Sequence, residues 1–410
     1  MRLLHVLVSL EQSSGGPLRA VLDLSARSFE YGLHSEIVGI GPLNISDNPF
    51  PTAFIHSLPA SPRNYAYCSS LRPWLRERLH DFDGVVIHGM WQYPCWAAAE
   101  ECRQARKPYA CFPHGMLEPW SFFGQGLFKA AKKVLYWQWR EAGILQKACH
   151  IFFTTSREMT LAQETFSLKP CQSLLAPNGA LPHVTQVEAP SNREIVCPKD
   201  RKVALFLGRV HPKKNVEFLI RSWAKAAPPS QWNLIIAGPG EAAYIASLRS
   251  LVQKLQLSGN VHFVGYVHGE DKSYLLQRAD WFLLPSLQEN FGIAVLEAIN
   301  SGCPVIISDQ VYVGDYFAGY EGILRLDEDV WARFMNSRML DCNFREDAAK
   351  HLRSIVDSRF SIDYIAHQWA TRLMQIFSTA QPTARGADRS SGLGVRGMLR
   401  GVRKYSSCHH

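Results

Sequence analysis

Short apolar runs alternate along most of the chain with stretches in which apolar side chains recur every third or fourth position. The runs at 3–10, 35–39, 84–88, 109–113, 150–154, 203–208, 233–238, 261–264, 281–285 and 304–308 read as strands. The stretches at 17–31, 92–106, 216–226, 242–255, 272–278, 292–301 and 362–377 carry the helical period. Strands this uniformly apolar are buried on both faces, which implies parallel sheets covered by helices on either side. The alternation fails once, where VTQVEAPSNREIVCP mixes turn formers and charges without a sustained period. The predicted organisation is therefore α/β, two Rossmann-like doubly wound domains at 1–185 and 200–360 joined by a linker at 186–199. A helix at 361–378 is expected to pack back onto the body, and 379–410 forms a basic tail. Ligands of such sheets bind at the carboxyl ends of the strands, so two facing domains would enclose a cleft.

Composition narrows the class. With 410 residues, 47% apolar and 20% charged, the chain is long enough for more than one ordinary globular domain. No uncharged apolar run approaches the ~20 residues of a membrane-spanning helix. The opening MRLLHVLVSL reaches Glu11 without a cleavage-like segment, so it is expected to be the first buried strand of a cytoplasmic protein. The ten cysteines are scattered with no C-x-x-C pair, which argues against a structural metal or a disulfide framework. Net charge is +8, but the tail sets Arg385, Arg389, Arg396, Arg400, Arg403 and Lys404 against Asp388 alone, leaving the body nearly neutral. That balance speaks against a nucleic-acid partner. The tail's Gly- and Ser-rich composition is expected to leave it disordered.

One further basic feature lies at 126–148. Lys129, Lys132, Lys133, Tyr136, Arg140 and Lys147 fall on one side of a helix, with Phe128, Ala131, Leu135, Trp139 and Ala142 opposite. The stripe is either a solvated face or a dock for an anionic membrane surface or a lipid diphosphate, with Trp120, Phe122 and Phe123 beside it.

Four motifs carry candidate chemistry. GGPLR at 15–19 places Gly15 and Gly16 between the first strand and a helix, where they serve either as a tight turn or as a close backbone approach to an anion. GRVHPKKN at 208–215 follows a strand and brings Arg209 and Lys214 to a strand end, where both can bond phosphate oxygens. In QENFGIAVLEAINSG at 288–302, Glu289 follows a strand, Gly292 opens a helix, and Glu297 lies farther along it; two acids so placed suit sugar hydroxyls. PHGMLEPW at 113–120 puts His114 at another strand end, with His88 of IHGMW as its competitor. AGPGEAA also satisfies G-x-G-x-x-A through Gly238, Gly240 and Ala243. The next strand, however, ends at Gly265 without the acid that would hold a ribose, which disfavours a nicotinamide enzyme.

The glycine pair, the Arg then Lys five residues later, and ENFGIAVLE together resemble the family 4 (group 1) retaining glycosyltransferases of GT-B fold, over about 1–378. The resemblance implies a nucleotide-diphosphate-sugar donor, a UDP- or GDP-sugar, held mainly by the second domain. It implies that Arg209 and Lys214 bind the diphosphate, Glu297 the ribose and Glu289 the transferred sugar. Asn290, Phe291, Gly292 and Ile293 would assist, with the base near Gly265, Tyr266 and Val267. Gly15 and Gly16 would approach the phosphates from the first domain, and His114 would lie near the reacting carbon. It implies in turn a glycan or polyprenyl-diphosphate-linked acceptor, retention of configuration, bacterial surface-polysaccharide synthesis, and a last helix crossing to the first domain. The Asp-x-Asp string at 327–329 lacks a strand-end context, so the expected catalysis is metal-independent and needs no cofactor, with cations and helix N-termini stabilising the leaving group. A non-catalytic sugar-nucleotide-binding protein and a GT-B epimerase or phosphorylase stand as alternatives.

Overall fold

The computed structural model describes residues 1–11, 16–43, 48–61, 65–118, 133–166, 168, 172–180 and 201–380. Gly15, Trp120, Phe122, Phe123, residues 126–132, the linker at 186–199 and residues 381–410 of the tail lie outside them. The strands are β1 Arg2–Val6, β2 His34–Ile40, β3 Ile55–Leu58, β4 Gly84–His88, β5 Tyr109–Phe112, β6 Ile151–Phe153 and β7 Ser173–Leu175. They continue as β8 Lys202–Leu207, β9 Trp232–Ala237, β10 Val261–Gly265, β11 Trp281–Leu284, β12 Val305–Ser308 and β13 Ile323–Leu324. The helices are α1 Gly16–Ser28, α2 Leu71–Arg78, α3 Tyr93–Gln104, α4 Ala142–Lys147, α5 Ser156–Phe166 and α6 Val216–Ala226. There follow α7 Ala242–Lys254, α8 Gly269–Arg278, α9 Ile293–Asn300, α10 Glu328–Ser337, α11 Cys342–Arg359 and α12 Ile362–Thr379.

The chain divides into two compact units, Met1–Gly179 together with the chain from Ile362, and Ala180–Ser361. Among the described residues the first unit holds a parallel sheet ordered β3-β2-β1-β4-β5-β6-β7. Its central strands are buried on both faces: Leu3, Leu4, Val85 and Val86 have no exposed surface, as continuous apolar runs in a covered parallel sheet require. The helix α12 belongs to this unit. Gly84 leaves the room that the Phe377 ring fills, since a Cβ there would sit 2.3 Å from the ring.

The second unit holds a parallel sheet ordered β10-β9-β8-β11-β12-β13. On α6, Val216, Leu219, Ile220 and Trp223 recur at helical spacing and are fully buried, which seats the helix on the sheet. Asp280 ties the start of β11 to its surroundings, accepting from Val203 N at 2.9 Å and from Lys202 Nζ at 3.0 Å, with Arg345 in contact.

Three strands escaped the sequence reading. They are β3, β7 and β13, short strands at the ends of sheet order, where partial exposure breaks the apolar run. The face expected on the basic helix is also corrected. A π-helical turn, Trp137–Glu141, inserts an extra residue and rotates the helix beyond it. Leu135 and Trp139, expected on the apolar side, are 69% and 72% exposed, while Trp137 is buried. The basic residues are not simply solvated: Arg140 stacks between Trp96 and Trp139, 4.3 and 4.2 Å from their ring centres, and Lys133 lies over Trp91. Among the described residues no helix is long and apolar enough to cross a membrane.

Candidate functional site

In a doubly wound sheet the loops diverge where the strand order reverses, opening a crevice at the carboxyl ends. In the second unit that point falls between β8 and β11, and the loops leaving these two strands carry the predicted residues. Backbone bonds fasten the loops into one edge. Leu287 N donates to Lys213 O at 2.9 Å, Val210 N to Pro239 O at 2.7 Å, and Gly238 N to Gly265 O at 2.7 Å. Arg209, Lys214, Gly265, Tyr266, Val267 and Glu289 therefore share one rim of one sheet.

Along that rim the Lys214 ammonium contacts the Glu289 carboxylate, each side chain about one-fifth exposed. Burial lowers the Lys214 pKa to about 7, with the charges of Lys213 and Arg209 pushing the same way, while the touching Glu289 carboxylate pulls against them. Glu289 is held from its backbone: its N donates to Gln310 O at 2.9 Å and its carbonyl accepts from Tyr312 N at 3.1 Å. Three residues on, Gly292 adopts φ +79° and opens α9, where a Cβ would crowd Val311, Val295 and Glu289. With no side chain capping α9, the N–H groups of Ile293 and Ala294 are donors suited to an anion, while Val295 N donates to Gly292 O at 2.8 Å. Phe291 is 3% exposed and packs edge-on against Phe360, so only its backbone can serve a ligand. Between the strand and the helix, Ser286 Oγ, both polar atoms of the Gln288 side chain and Asn290 Oδ1 are buried without a hydrogen-bond partner, an excess that marks a loop built for something more than its own folding. Glu297 is not open: it pairs with Lys272 of α8 at 2.6 Å, a partner that lies 25 residues away and that the sequence reading missed.

Two competing motifs resolve into structural roles. A Cβ on Gly238 would lie 1.9 Å from Gly208 O, and one on Gly240 2.5 Å from Val210 O, so the fingerprint glycines let the β9 loop press against the β8 loop. The Asp-x-Asp string begins α10. Asp327 accepts from Asp329 N at 2.9 Å and Val330 N at 3.1 Å, and Asp329 pairs with Lys225 at 2.5 Å.

In the first unit the strand order reverses between β1 and β4. Gly16 is the exposed first residue of α1, the helix that follows β1 in the chain. His88 ends β4 and His114 follows β5, and the two candidates are not alternatives: His88 Nδ1 lies 2.9 Å from His114 Nε2. His88 Nε2 lies 2.9 Å from Nδ1 of His5 on β1, and His5 Nε2 is 3.3 Å from Ser35 Oγ on β2. Burial lowers the His5 pKa to about 4 and the His114 pKa to about 3; that of His88 falls well below its ordinary value through burial and then through its neighbours' charges. His114 takes φ +51° and Gly115 φ +79°, a turn locked by Glu158, which accepts from Gly115 N and Thr154 N, both at 2.7 Å. Phe112 stacks on the His114 ring at 4.1 Å. His5, Ser35 and Glu158 carried no sequence signal, because only the strand register brings them to the histidine pair.

Comparison with known proteins fits this layout. Residues 188–350 match the glycosyl transferases group 1 family and residues 15–179 a glycosyl transferase 4-like domain. An uncharacterized glycosyltransferase of Methanocaldococcus jannaschii is 32% identical over 186 residues, 43% of this chain and 45% of that protein. The O-antigen chain mannosyltransferase B of Escherichia coli is 31% identical over 107 residues, 26% of this chain and 28% of that protein. The matched stretches thus span less than half the length of these relatives. The crystal structure of Anabaena HepE in complex with UDP and glucose aligns with a TM-score of 0.70 at 18% identity, covering 92% of this chain and all of that one. Two glycosyltransferase family models, one on each unit, thus span about four fifths of the 410 residues, and the chain has the two-domain α/β GT-B fold.

Proposed function

We propose that this protein transfers a sugar from a UDP- or GDP-linked donor to a glycan or polyprenyl-diphosphate-linked acceptor, with retention of configuration and without a metal ion, in bacterial surface-polysaccharide synthesis. The observation that carries the reading is the rim of the second unit. There Lys214 meets Glu289 beside the uncapped start of α9, at the point where the strand order reverses.

In this reading Lys214 and Arg209 take the diphosphate, and the amides from Gly292 onward add partial positive charge. The developing negative charge of the leaving group then meets preorganised donors. Binding replaces one partner of the Lys214–Glu289 pair: the ammonium turns to phosphate, and the freed carboxylate accepts hydroxyls of the transferred sugar. Glu297, oriented by Lys272, accepts from the ribose, and the base lies by Gly265, Tyr266 and Val267. His114 serves in the first unit near the reacting carbon, with Gly15 and Gly16 toward the phosphates. The leaving phosphate takes the acceptor's proton on the same face. The O-antigen relative and the UDP-bound neighbour support the donor class and the setting. The basic segment around Lys133 and Arg140 would meet an anionic membrane surface or the acceptor's diphosphate.

A thermal-shift panel of UDP, GDP, UDP-glucose and GDP-mannose tests the donor, because tight binding to the folded state raises the unfolding temperature. One nucleotide series should stabilise the protein, and NMR of the product should show the donor's anomeric configuration with turnover unchanged by EDTA. Silence across the panel would sink the reading. An inverted linkage would reject retention, and loss of turnover in EDTA would reject metal independence.

A further inference from the structure

The contacts among His5, His88 and His114 constrain their protons. A neutral imidazole has one N–H and one bare nitrogen, and His88 spends both, one toward each neighbour. Both 2.9 Å contacts can be hydrogen bonds only if the three rings are protonated at the same nitrogen. With every proton on Nδ1, His114 Nδ1 is a donor and His5 Nε2 accepts from the Ser35 hydroxyl. With every proton on Nε2, His114 Nδ1 is an acceptor and His5 donates to Ser35 Oγ. No mixed arrangement avoids setting two protons or two lone pairs against each other.

The surroundings protect this order. His5 and His88 are 1% and 2% exposed. Besides the rings, the small cavity is walled mainly by apolar side chains, among them Leu24 and Phe112; Asn178 and the Trp369 indole are its polar members, and Asn178 Oδ1 is buried without a hydrogen-bond partner. The Glu158-bound turn at Gly115 fixes the backbone from which His114 projects.

We propose that His5, His88 and Ser35 are positioning residues that set the tautomer of His114, the four side chains switching together between two neutral registers. The chemistry presented at His114 Nδ1 is thereby decided three side chains away. The proposal rests on the reading that places His114 near the reacting carbon.

The test is ring 15N NMR of the full-length protein, with resonances assigned by the single variants His5→Gln, His88→Gln and His114→Gln. The three rings should be protonated at the same nitrogen between pH 5 and 8; unlike nitrogens, or a charged ring, would overturn the proposal. Ser35→Ala removes only the terminal hydroxyl and should shift all three rings together, whereas a change confined to His5 would reject the coupling. His88→Phe should lower kcat for hydrolysis of the stabilising nucleotide sugar about tenfold or more with KM unchanged, as loss of a residue orienting a functional histidine does elsewhere. His88→Asn, which restores a donor and acceptor near the lost Nδ1, should recover part of that loss. A lower unfolding temperature with the His114 resonances unmoved would mean a purely structural role and end the proposal. Full activity in His114→Gln would instead refute the placement of His114 at the reaction centre, while the ring resonances would still decide whether the chain is coupled.

Discussion

The two units place their candidate groups at equivalent points, the carboxyl ends of strands beside a reversal of strand order, yet they use opposite chemistry. In the first unit three uncharged rings are ordered by hydrogen bonds under a wall that is apolar but for Asn178 and the Trp369 indole. In the second, cations and carboxylates face each other in partly exposed pairs, Lys214 with Glu289 and Lys272 with Glu297. Neutral, desolvated imidazoles exert no long-range pull on a diphosphate, whereas a rim with Arg209, Lys213, Lys214 and an uncapped helix start does. On the proposed reading the same loop positions would divide the work: orientation without charge in one unit, attraction of an anion in the other.

The hardest blow to this division is Lys214→Ala. Removing a preorganised cation from a leaving-group site should lower turnover by about 10²- to 10³-fold. Nucleotide-diphosphate affinity should fall with it, and cooperative unfolding should persist. Near-normal turnover in a folded variant would leave the charged rim without a catalytic role. Lys214→Arg, which keeps the charge, should retain more activity than alanine.

The next largest effect belongs to the neutral unit. His5 titrates near 6.5 when unfolded but at about 4 in the fold, because burial resists its charge. Between these values the unfolded chain takes up a proton that the native ring refuses, so stability is full above pH 6.5 and is lost as the pH falls toward 4. For His5 alone the loss approaches about 3 kcal/mol, and it adds to that of its two neighbours. Urea unfolding should therefore show a free-energy gap between wild type and His5→Gln that narrows from pH 7 to pH 4. A gap independent of pH would mean that the ring takes up its proton in the fold as readily as in the unfolded chain, and a gap that widens toward pH 4 would mean that the fold holds it charged.

A milder test concerns the cover of that unit. A Cβ at Gly84 would strike Phe377 of α12, the helix that also contributes Trp369 to the histidine wall. Gly84→Ala should destabilise the protein by about 2 kcal/mol, the scale of overpacking, read as a lower unfolding temperature. An unchanged temperature would show that α12 can shift at no cost.

The same contrast explains what the sequence disclosed. Central strands such as β8 and β11 were legible because burial on both faces demands unbroken apolar runs, while β7, with every residue half-buried, gave no such run. Helix α11 buries only Ala348, Leu352 and Val356, a stripe too narrow to stand out, although its cap at Asp341 was a readable start signal. In the charged unit the motifs were local, so Arg209, Lys214, Glu289 and Gly292 could be found within short loops. Long-range partners could not: Lys272 for Glu297, and His5 and Ser35 for His88, are brought in by topology alone.

The smallest predicted effect separates the units by pH. Free Lys214 has a pKa of about 7, so its charge is present below pH 7 and is lost above it. A bound diphosphate favours the ammonium and raises that pKa, so binding takes up a proton above pH 7. Affinity for UDP or GDP should then fall with rising pH, by at most about tenfold per unit, until the bound-state pKa is reached. The histidines of the first unit are neutral throughout this range and contribute nothing to the slope. Calorimetric titration at pH 6.5, 7.5 and 8.5 reads the trend, and buffers of different ionisation enthalpy read the proton uptake directly. Lys214→Arg, charged at every pH used, should flatten both. If the slope survives in that variant, the titrating group lies elsewhere, and the Glu289 carboxylate holds the Lys214 ammonium charged against its burial.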